Sequence, residues 1–238
     1  MTRLLDQFES IYVINLASRA DRRREVEEQL SRVGLSPASP RVTFFNAVRV
    51  QDSAGFPTVG ARGCFLSHLR VLEDAVERGL ASVLILEDDV NFVDDFVSRS
   101  DALVKALNDI SVNVFYGGHQ FVLPPPPDTG KGWVYVDPFV LVGLSHFIGL
   151  KGDAVAEAAQ YLKAMLSRAP GDPAGGPMHV DGAYNWFRQA HPGFCTVAAI
   201  PEIGYQRSSR TDVHELAWYD KLPLIRDFAV ALRRRRND

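Results

Sequence analysis

The sequence predicts an α/β fold in which a mostly parallel central sheet is flanked by helices. Two observations predict it. Short apolar runs, the pattern of strands buried on both faces, alternate with charged segments whose apolar residues recur at helical spacing. Three such strand–helix units follow one another in the first half of the chain, and this alternation is typical of a sheet with helices on both faces.

The first half divides into four strands and three helices. Each strand is an apolar run of four or five residues, and Gly34 and Gly79 stand where the first two helices are expected to end. The predicted strands are 11–14, 42–45, 83–86 and 112–116, and the predicted helices are 19–33, 62–78 and 94–107.

The second half is less regular. Proline lacks a backbone N–H and fixes φ, so the Pro/Gly-rich segments 124–130 and 170–177 are predicted to be exposed loops. Neither loop is long enough for an interdomain linker, so we expect one domain over residues 1–238. The other predicted elements are strands at 133–136, 145–150 and 197–200, helices at 153–169 and 222–236, and a short helix near Asp181.

Composition excludes several classes of function. The chain carries 26 basic and 29 acidic residues, so no overall basic field indicates a nucleic-acid partner. No stretch approaches the roughly 20 apolar residues that span a bilayer, and the acidic N-terminus does not resemble a signal peptide. Cys64 and Cys195 lie far apart, as expected of small core residues in a reducing compartment. We therefore expect a soluble, cytoplasmic protein.

The acidic run Glu87-Asp88-Asp89 follows directly on the third predicted strand. Three adjacent carboxylates repel one another and gain nothing from burial, which disfavours a core role. At the carboxyl end of a parallel strand they would face the crevice in which open α/β sheets bind ligands. Oxygen ligands on a short loop suit Mn²⁺ or Mg²⁺, while a solvated loop is the plain alternative.

Response-regulator receiver domains also place acids at the end of a strand. There, however, the acidic strand opens the chain, whereas here two predicted strands precede it. No aspartate ends the next predicted strand, 112–116, as that class would require. The receiver interpretation is therefore disfavoured.

Three blocks of sequence stand in a defined order around this acidic run. They are IYVINL at 11–16 with the charged residues that follow it, GARGCFLSH at 60–68, and VLILEDDV at 83–90. Together they resemble glycosyltransferase family 25, the family of lipooligosaccharide and collagen galactosyltransferases. The resemblance is firm over residues 11–95 and looser to about residue 155. It implies a single GT-A-like nucleotide-sugar-binding domain, an inverting transfer and usually a divalent ion.

The resemblance also implies that the two halves of the chain bind different substrates. Residues 1–120 would form the nucleotide-sugar donor half, and residues 121–238 the acceptor half with a C-terminal tail. The expected reaction moves a hexose, galactose first, from a UDP-sugar to a glycan, lipid-linked or protein hydroxyl acceptor, with Mn²⁺ or Mg²⁺ as cofactor. The alternative is a catalytically silent module that retains nucleotide-sugar binding.

The first block supplies candidate donor-binding residues after the opening strand. Asn15 lies where a nucleotide would meet such a sheet. Arg19 or Arg22 could pair with phosphate, and Asp21 could accept ribose hydroxyls. A charged first helical turn is the plain alternative.

The second block predicts an approach of backbone to an anion. Gly60 and Gly63 are expected to precede a helix whose N–H groups an anion could reach. Ser67 and His68 lie on that helix. A lone helical histidine is more often structural. The resemblance instead favours contact of both residues with the donor or with the acidic loop, which is the run Glu87-Asp88-Asp89.

The glycine pair Gly117-Gly118 is expected to follow the fourth strand and to line the donor pocket. In the acidic run, Asp89 is the first choice for metal ligation and Asp88 the second. Asp88 and Glu87 could also hold the donor, Glu87 through the ribose or a metal-bound water. His214 is a possible third ligand, with an exposed loop histidine as the alternative.

An inverting transfer requires a base for the acceptor hydroxyl. Asp181, which follows the second Pro/Gly loop, is the candidate, and a plain N-cap is the alternative. The arginines at 233–236 are expected to be a solvated helix end that could also make peripheral contact with the inner face of an anionic membrane.

Overall fold

The computed structural model describes residues 4–122 and 126–207. After a 3₁₀ turn at Leu5–Gln7, strands and helices alternate as the sequence predicts. The strands are β1 (Ser10–Asn15), β2 (Val42–Asn46), β3 (Ser82–Glu87), β4 (Val90–Phe92), β5 (Val112–Phe121), β6 (Trp133–Tyr135), β7 (Val142–Lys151), β8 (Cys195–Ala199) and β9 (Gly204–Gln206). The helices are α1 (Ala20–Arg32), α2 (Val59–Glu77), α3 (Phe96–Asp109), α4 (Ala154–Met165) and α5 (Val180–Ala190).

Seven strands form one mixed sheet in the order β2-β1-β3-β7-β5-β8-β6. Strand β1 is parallel to β2 and β3, and β5 is parallel to β8. Strand β7 is antiparallel to β3 and β5, and β6 is antiparallel to β8. Strands β2, β1, β3, β5 and β8 therefore run in one direction, which confirms the α/β class with a mostly parallel sheet. The carboxyl ends of β1 and β3 meet at one edge, where Ile14 pairs with Glu87.

Alternate residues of each strand feed two separate hydrophobic layers. Ile85 packs with Phe65 and Leu69 of α2 on one face. Leu84 packs with Leu30 of α1 and Leu103 of α3 on the other. This alternation extends into the acidic run and decides which helix each carboxylate faces.

Helix α2 begins earlier than predicted. Thr58 is its N-cap, and its Oγ1 accepts a hydrogen bond of 2.9 Å from the Ala61 N–H. Gly60 and Gly63 therefore lie inside the first turns of the helix, and the expectation that they precede it is wrong. A Cβ on Gly63 would lie 2.9 Å from the Val48 carbonyl oxygen, so this glycine permits the loop after β2 to pack against the helix.

Strand β5 continues past the residue where the sequence predicts its end. Gly117 and Gly118 lie within it, at a bulge, and not after it as expected. A Cβ on Gly117 would lie 2.6 Å from the Phe147 ring, and one on Gly118 would overlap the His146 ring. Both glycines therefore make room for side chains of β7.

Strand β7 carries an irregularity of its own. It begins at Val142, three residues before the predicted start, and Leu144 within it has a φ of 65°. A leucine in the left-handed region is strained, and such strain is concentrated at functional sites.

A second sheet of two strands was not predicted. Strand β4 pairs with β9 in antiparallel register, so the last described residues lie against the segment that follows the acidic run. The chain groups into one unit ending at Arg207 and a second at Ser208–Asp238. The second unit, with His214, the predicted helix at 222–236 and the arginines at 233–236, lies outside the described residues. Among the described residues, no helix is both long and apolar enough to cross a membrane.

Candidate active site

The three acids of the triplet occupy three different environments. Glu87 ends β3, and Asp88 and Asp89 form the turn that leads to β4. Glu87 contacts His68 of α2, whereas Asp88 contacts Arg22 of α1 on the opposite face of the sheet. Asp89 lies against β9. The run is therefore not one carboxylate cluster but three separately held groups.

Asp88 is buried, and both of its carboxylate oxygens accept hydrogen bonds. Its Oδ2 accepts a hydrogen bond of 2.7 Å from the Asn15 Nδ2, and its Oδ1 accepts one of 3.0 Å from the Arg22 guanidinium. Burial raises the pKa of Asp88, although Asn15 and Arg22 partly offset this effect. The Asn15 amide also donates to the Arg19 carbonyl oxygen at 3.2 Å. Asp88 thus ties the end of β1 and the start of α1 to the acidic loop.

Asp89 is buried, but only one of its two carboxylate oxygens accepts a hydrogen bond from a described residue. Its Oδ2 accepts a hydrogen bond of 3.0 Å from the Gln206 Nε2, while its Oδ1 has no hydrogen-bond partner among the described residues. Burial, followed by the charge of Glu87, raises the pKa of Asp89 to about 7. Buried polar atoms without partners are rare in folded proteins. A carboxylate oxygen left open beside two other acids fits a hard divalent cation such as Mn²⁺ or Mg²⁺.

Arg207, the residue that follows β9, holds this loop in place. The Arg207 N–H donates to the Asp89 carbonyl oxygen at 2.8 Å, and the Arg207 guanidinium donates to the Asp88 carbonyl oxygen at 3.1 Å. The same guanidinium forms a 2.8 Å ion pair with Glu25 of α1. The backbone of the acidic loop is therefore fixed from both α1 and β9.

Glu87 points toward α2. Its Oε1 lies 3.4 Å from the His68 Nε2 and 3.8 Å from the Cys64 Sγ. Burial opposes ionisation of Glu87, but the hydrogen bond and charge of His68 outweigh it and lower the pKa of Glu87. His68 is fully buried, and its Nδ1 lies 3.2 Å from the Tyr184 hydroxyl. The structure thus places His68 against the acidic loop, one of the two contacts expected of it.

Asp181 is the second residue of α5, and His179 occupies the N-cap. The plain N-cap interpretation of Asp181 is therefore wrong. Its Oδ1 accepts a 2.8 Å hydrogen bond from the Gly182 N–H, and its Oδ2 accepts one of 3.3 Å from the strained Leu144. Burial raises the pKa of Asp181, and the charge of Glu87 adds to the effect.

The Cys64 thiol contacts Glu87 and is also influenced by the charge of Asp181. Burial raises the pKa of Cys64 well above its usual value, and the charges of Glu87, Asp181 and Asp89 raise it further. Three carboxylates from β3, the following turn and α5 therefore act on one thiol. A buried acid of raised pKa, such as Asp181, is suited to proton transfer.

Ser67 is fully buried and forms hydrogen bonds with nearby backbone groups. Its hydroxyl donates to the Gly63 carbonyl oxygen at 2.7 Å and accepts from the Val48 N–H at 2.9 Å. It fixes the loop after β2 against α2. Arg19 and Asp21 instead lie at the solvent-facing start of α1, where they form a 2.8 Å ion pair.

None of these placements tests contact with a donor, so the donor-binding roles stay predictions. Arg19, Asp21 and Arg22 lie together at the carboxyl edge of β1. Gly117 and Gly118 are buried against β7. His214 lies outside the described residues, and its role as a ligand stays a prediction as well.

Several residues of this region were not predicted from the sequence. Cys64, Tyr184 and Gln206 contact the acids or His68. His146 is buried, and its Nδ1 has no hydrogen-bond partner within residues 4–122 and 126–207. Burial lowers the pKa of His146, and the charge of Glu87 partly offsets this effect. The one available signal was the i,i+4 spacing of Cys64 and His68, because the other contacts depend on the order of strands in the sheet.

Comparisons with known proteins give the family of the chain. Residues 8–121 match the family model described as "Glycosyltransferase family 25 (LPS biosynthesis protein)". "Inactive glycosyltransferase 25 family member 3" of Homo sapiens is 31% identical over 182 residues, which cover 67% of this chain and 30% of that protein. "Procollagen galactosyltransferase 1" of Danio rerio is 24% identical over 180 residues, with the same two coverages. The chain thus spans about a third of the length of these relatives.

A solved structure of similar extent is a glycosyltransferase involved in the glycosylation of the major capsid of PBCV-1. It superimposes with a TM-score of 0.49 at 12% sequence identity, covering 85% of this chain and 93% of that one.

Proposed function

Because the chain belongs to glycosyltransferase family 25 through residues 8–121, we propose that it is an inverting glycosyltransferase. The proposed reaction transfers a hexose from a UDP-sugar to the hydroxyl of a glycan, a lipid-linked glycan or a protein. Galactose is the first choice because the zebrafish relative is named as a galactosyltransferase. The proposed cofactor is Mn²⁺ or Mg²⁺.

The observation that carries the proposal is the open, buried Oδ1 of Asp89 at the carboxyl end of β3. Asp89 would hold the ion, which when bound supplies positive charge that stabilises the departing diphosphate. Asp88 is the second candidate ligand, but each of its oxygens already accepts a hydrogen bond. Ligation by Asp88 would have to share these oxygens with Asn15 and Arg22 through their remaining lone pairs, so the first role we assign to Asp88 is to position the loop.

Asp181 is the proposed base. As the acceptor oxygen bonds to the anomeric carbon and the bond from that carbon to the diphosphate breaks, Asp181 would take the acceptor proton. Its raised pKa brings its basicity closer to neutral pH, where a general base is most effective. The backbone N–H groups of Leu144 and Gly182 hold the carboxylate in a fixed orientation.

Release of UDP from UDP-galactose, with and without Mn²⁺, tests the proposal. We expect cation-dependent turnover by the wild-type chain and at least a 100-fold loss in Asp89→Asn, the order of effect that removal of electrostatic stabilisation produces. The matched control is Asp94→Asn, an aspartate in the same region whose side chain is 98% exposed. Equal turnover in Asp89→Asn and Asp94→Asn would remove the metal assignment.

A second function is supported by the human relative, whose name describes it as inactive. In that case the chain would bind a nucleotide sugar without turning it over. Calorimetry with UDP separates the two functions: binding with neither transfer nor slow hydrolysis across donors would favour the silent module.

The cellular location is a separate proposal. We propose that the protein is cytoplasmic and that the arginines at 233–236 contact anionic lipid at the inner face of the membrane. Sedimentation with anionic vesicles would be reduced by replacement of these four residues with glutamine. Equal sedimentation of both forms would contradict the membrane contact.

A further inference from the structure

Three chemically different ligand groups converge on the inner side of the acidic loop. Cys64 and His68 lie one turn apart on α2, and Glu87 ends β3 opposite them. The Cys64 Sγ, one imidazole nitrogen of His68 and one Glu87 carboxylate oxygen all lie within 4.8 Å of one another. We propose that these residues form a binding site for a thiophilic divalent cation, Zn²⁺, distinct from the hard-ion site at Asp89.

The separations are close to those that a tetrahedral ion requires. Zinc bonds of about 2.3 Å to sulfur and about 2.0–2.1 Å to nitrogen and oxygen place neighbouring ligand atoms about 3.3–3.6 Å apart. The His68 Nε2 to Glu87 Oε1 distance is 3.4 Å, and the Cys64 Sγ to Glu87 Oε1 distance is 3.8 Å. The third pair, the Cys64 Sγ and the His68 nitrogen, lies within 4.8 Å, so binding of an ion would draw these two side chains closer together. Three protein ligands leave the fourth position to water, as in open zinc sites.

The His68 ring is held in the orientation that ligation needs. Its Nδ1 lies within hydrogen-bond distance of the Tyr184 hydroxyl, which directs Nε2 toward Glu87. Zinc-binding histidines are oriented in this way by a partner on the other ring nitrogen. His68 and Tyr184 are both fully buried, so the orientation is fixed by packing as well as by the hydrogen bond.

The electrostatic setting favours a dication at this position. The Cys64 Sγ lies 3.8 Å from the Glu87 carboxylate, and after burial the charges of Glu87, Asp181 and Asp89 raise the pKa of the thiol further. A bound dication would relieve the mutual repulsion of these acids. Thiolate and imidazole ligands select Zn²⁺ over Mn²⁺ and Mg²⁺, so the two sites would take different ions. On binding, the S–Zn bond forms as the thiol proton passes to solvent.

One consequence rests on the proposed function. A zinc ion on Glu87 would place a second dication beside Asp89 and withdraw Glu87 from the donor site. Zinc should therefore inhibit Mn²⁺-dependent transfer, and Cys64→Ser should relieve that inhibition.

Cobalt substitution tests the site without any donor or acceptor. Co²⁺ bound to a thiolate gives a sulfur-to-metal charge-transfer band, and the chain has only two cysteines, Cys64 and Cys195. We expect the band in the full wild-type chain and in Cys195→Ser, its absence in Cys64→Ser, and its displacement by Zn²⁺. Asp89→Asn should keep the band, because the hard-ion site is not part of it.

A second variant keeps the test informative if Cys64→Ser does not fold. Tyr184→Phe keeps all three ligands and removes the partner of His68, so cobalt affinity should fall about 10- to 100-fold. No band in the wild-type chain, or a band that survives in Cys64→Ser, would overturn the proposal. The readout does not depend on turnover, so an inactive protein with the cobalt band would refute the proposed function and leave this site standing.

Discussion

Replacement of Arg22 by methionine should destabilise the fold strongly, because Arg22 neutralises a buried carboxylate. The guanidinium donates to Asp88 at 3.0 Å, and the two side chains are only 15% and 9% exposed. Removal of one partner from a buried ion pair costs about 3–5 kcal/mol. Asn15 remains as a donor to Asp88 and the pair is not fully buried, so we expect a loss of about 2–4 kcal/mol.

Urea unfolding in the presence of EDTA measures this loss. The matched control is the double variant Arg22→Met with Asp88→Asn, which removes both charges and should recover most of the lost stability. The pKa of Asp88 is already raised by burial, so ionisation of Asp88 disfavours the folded state. The destabilising effect of Arg22→Met should therefore be largest at neutral pH. It should shrink as the pH falls through the raised folded-state pKa of Asp88, and it should be smallest below about 4, where aspartate is protonated even in the unfolded chain.

Two results would refute this reasoning. A loss below about 0.5 kcal/mol at neutral pH would mean that Asp88 is not held as a buried charge. A double variant no more stable than Arg22→Met would mean that the cost arises from lost packing of the arginine stem rather than from the unpaired, buried charge of Asp88.

Three further predictions follow from other contacts. Asp181→Asn should reduce transfer at least about 100-fold while leaving the dissociation constant of UDP unchanged, as turnover assays and calorimetry would show; near wild-type turnover would end its role as base. Gly117→Ala should cost about 1–3 kcal/mol in urea unfolding because its Cβ would lie 2.6 Å from the Phe147 ring, and an unchanged midpoint would contradict that contact. Burial and the 2.5 Å hydrogen bond to Asp74 raise the pKa of Tyr12 to about 12. The stability from the neutral phenol should therefore be lost as pH rises from about 10 to 12, and Tyr12→Phe should flatten that loss in alkaline unfolding curves.

The strands of the sheet centre could be predicted from sequence because they are buried on both faces. The apolar runs at 11–14 and 83–86 became β1 and β3 with all of those residues buried. The predicted start of α2 was three residues too late, because the sequence pattern did not identify Thr58 as the N-cap. The extension of β5 through Gly117 and Gly118 depends on the rings of β7, which no local pattern reveals.

The candidate site was only partly predictable for a similar reason. The position of Glu87-Asp88-Asp89 at the end of a strand could be predicted, and so could the proximity of His68. Strand geometry alone explains why Glu87 faces α2 and Asp88 faces α1. It does not identify the residues that contact them, His68 and Arg22. Gln206 reaches Asp89 only because β9 pairs with β4, over more than a hundred residues of sequence.

We propose separate roles for the two aspartates, with Asp89 as the metal ligand and Asp88 as the group that positions the loop. Binding of Mn²⁺ in the presence of UDP, measured by calorimetry on wild-type, Asp89→Asn and Asp88→Asn chains, tests it most directly. We predict that Asp89→Asn abolishes the measurable binding of Mn²⁺, whereas Asp88→Asn, which leaves the open oxygen of Asp89 in place, retains it. Wild-type affinity in Asp89→Asn together with loss of binding in Asp88→Asn would contradict the claim.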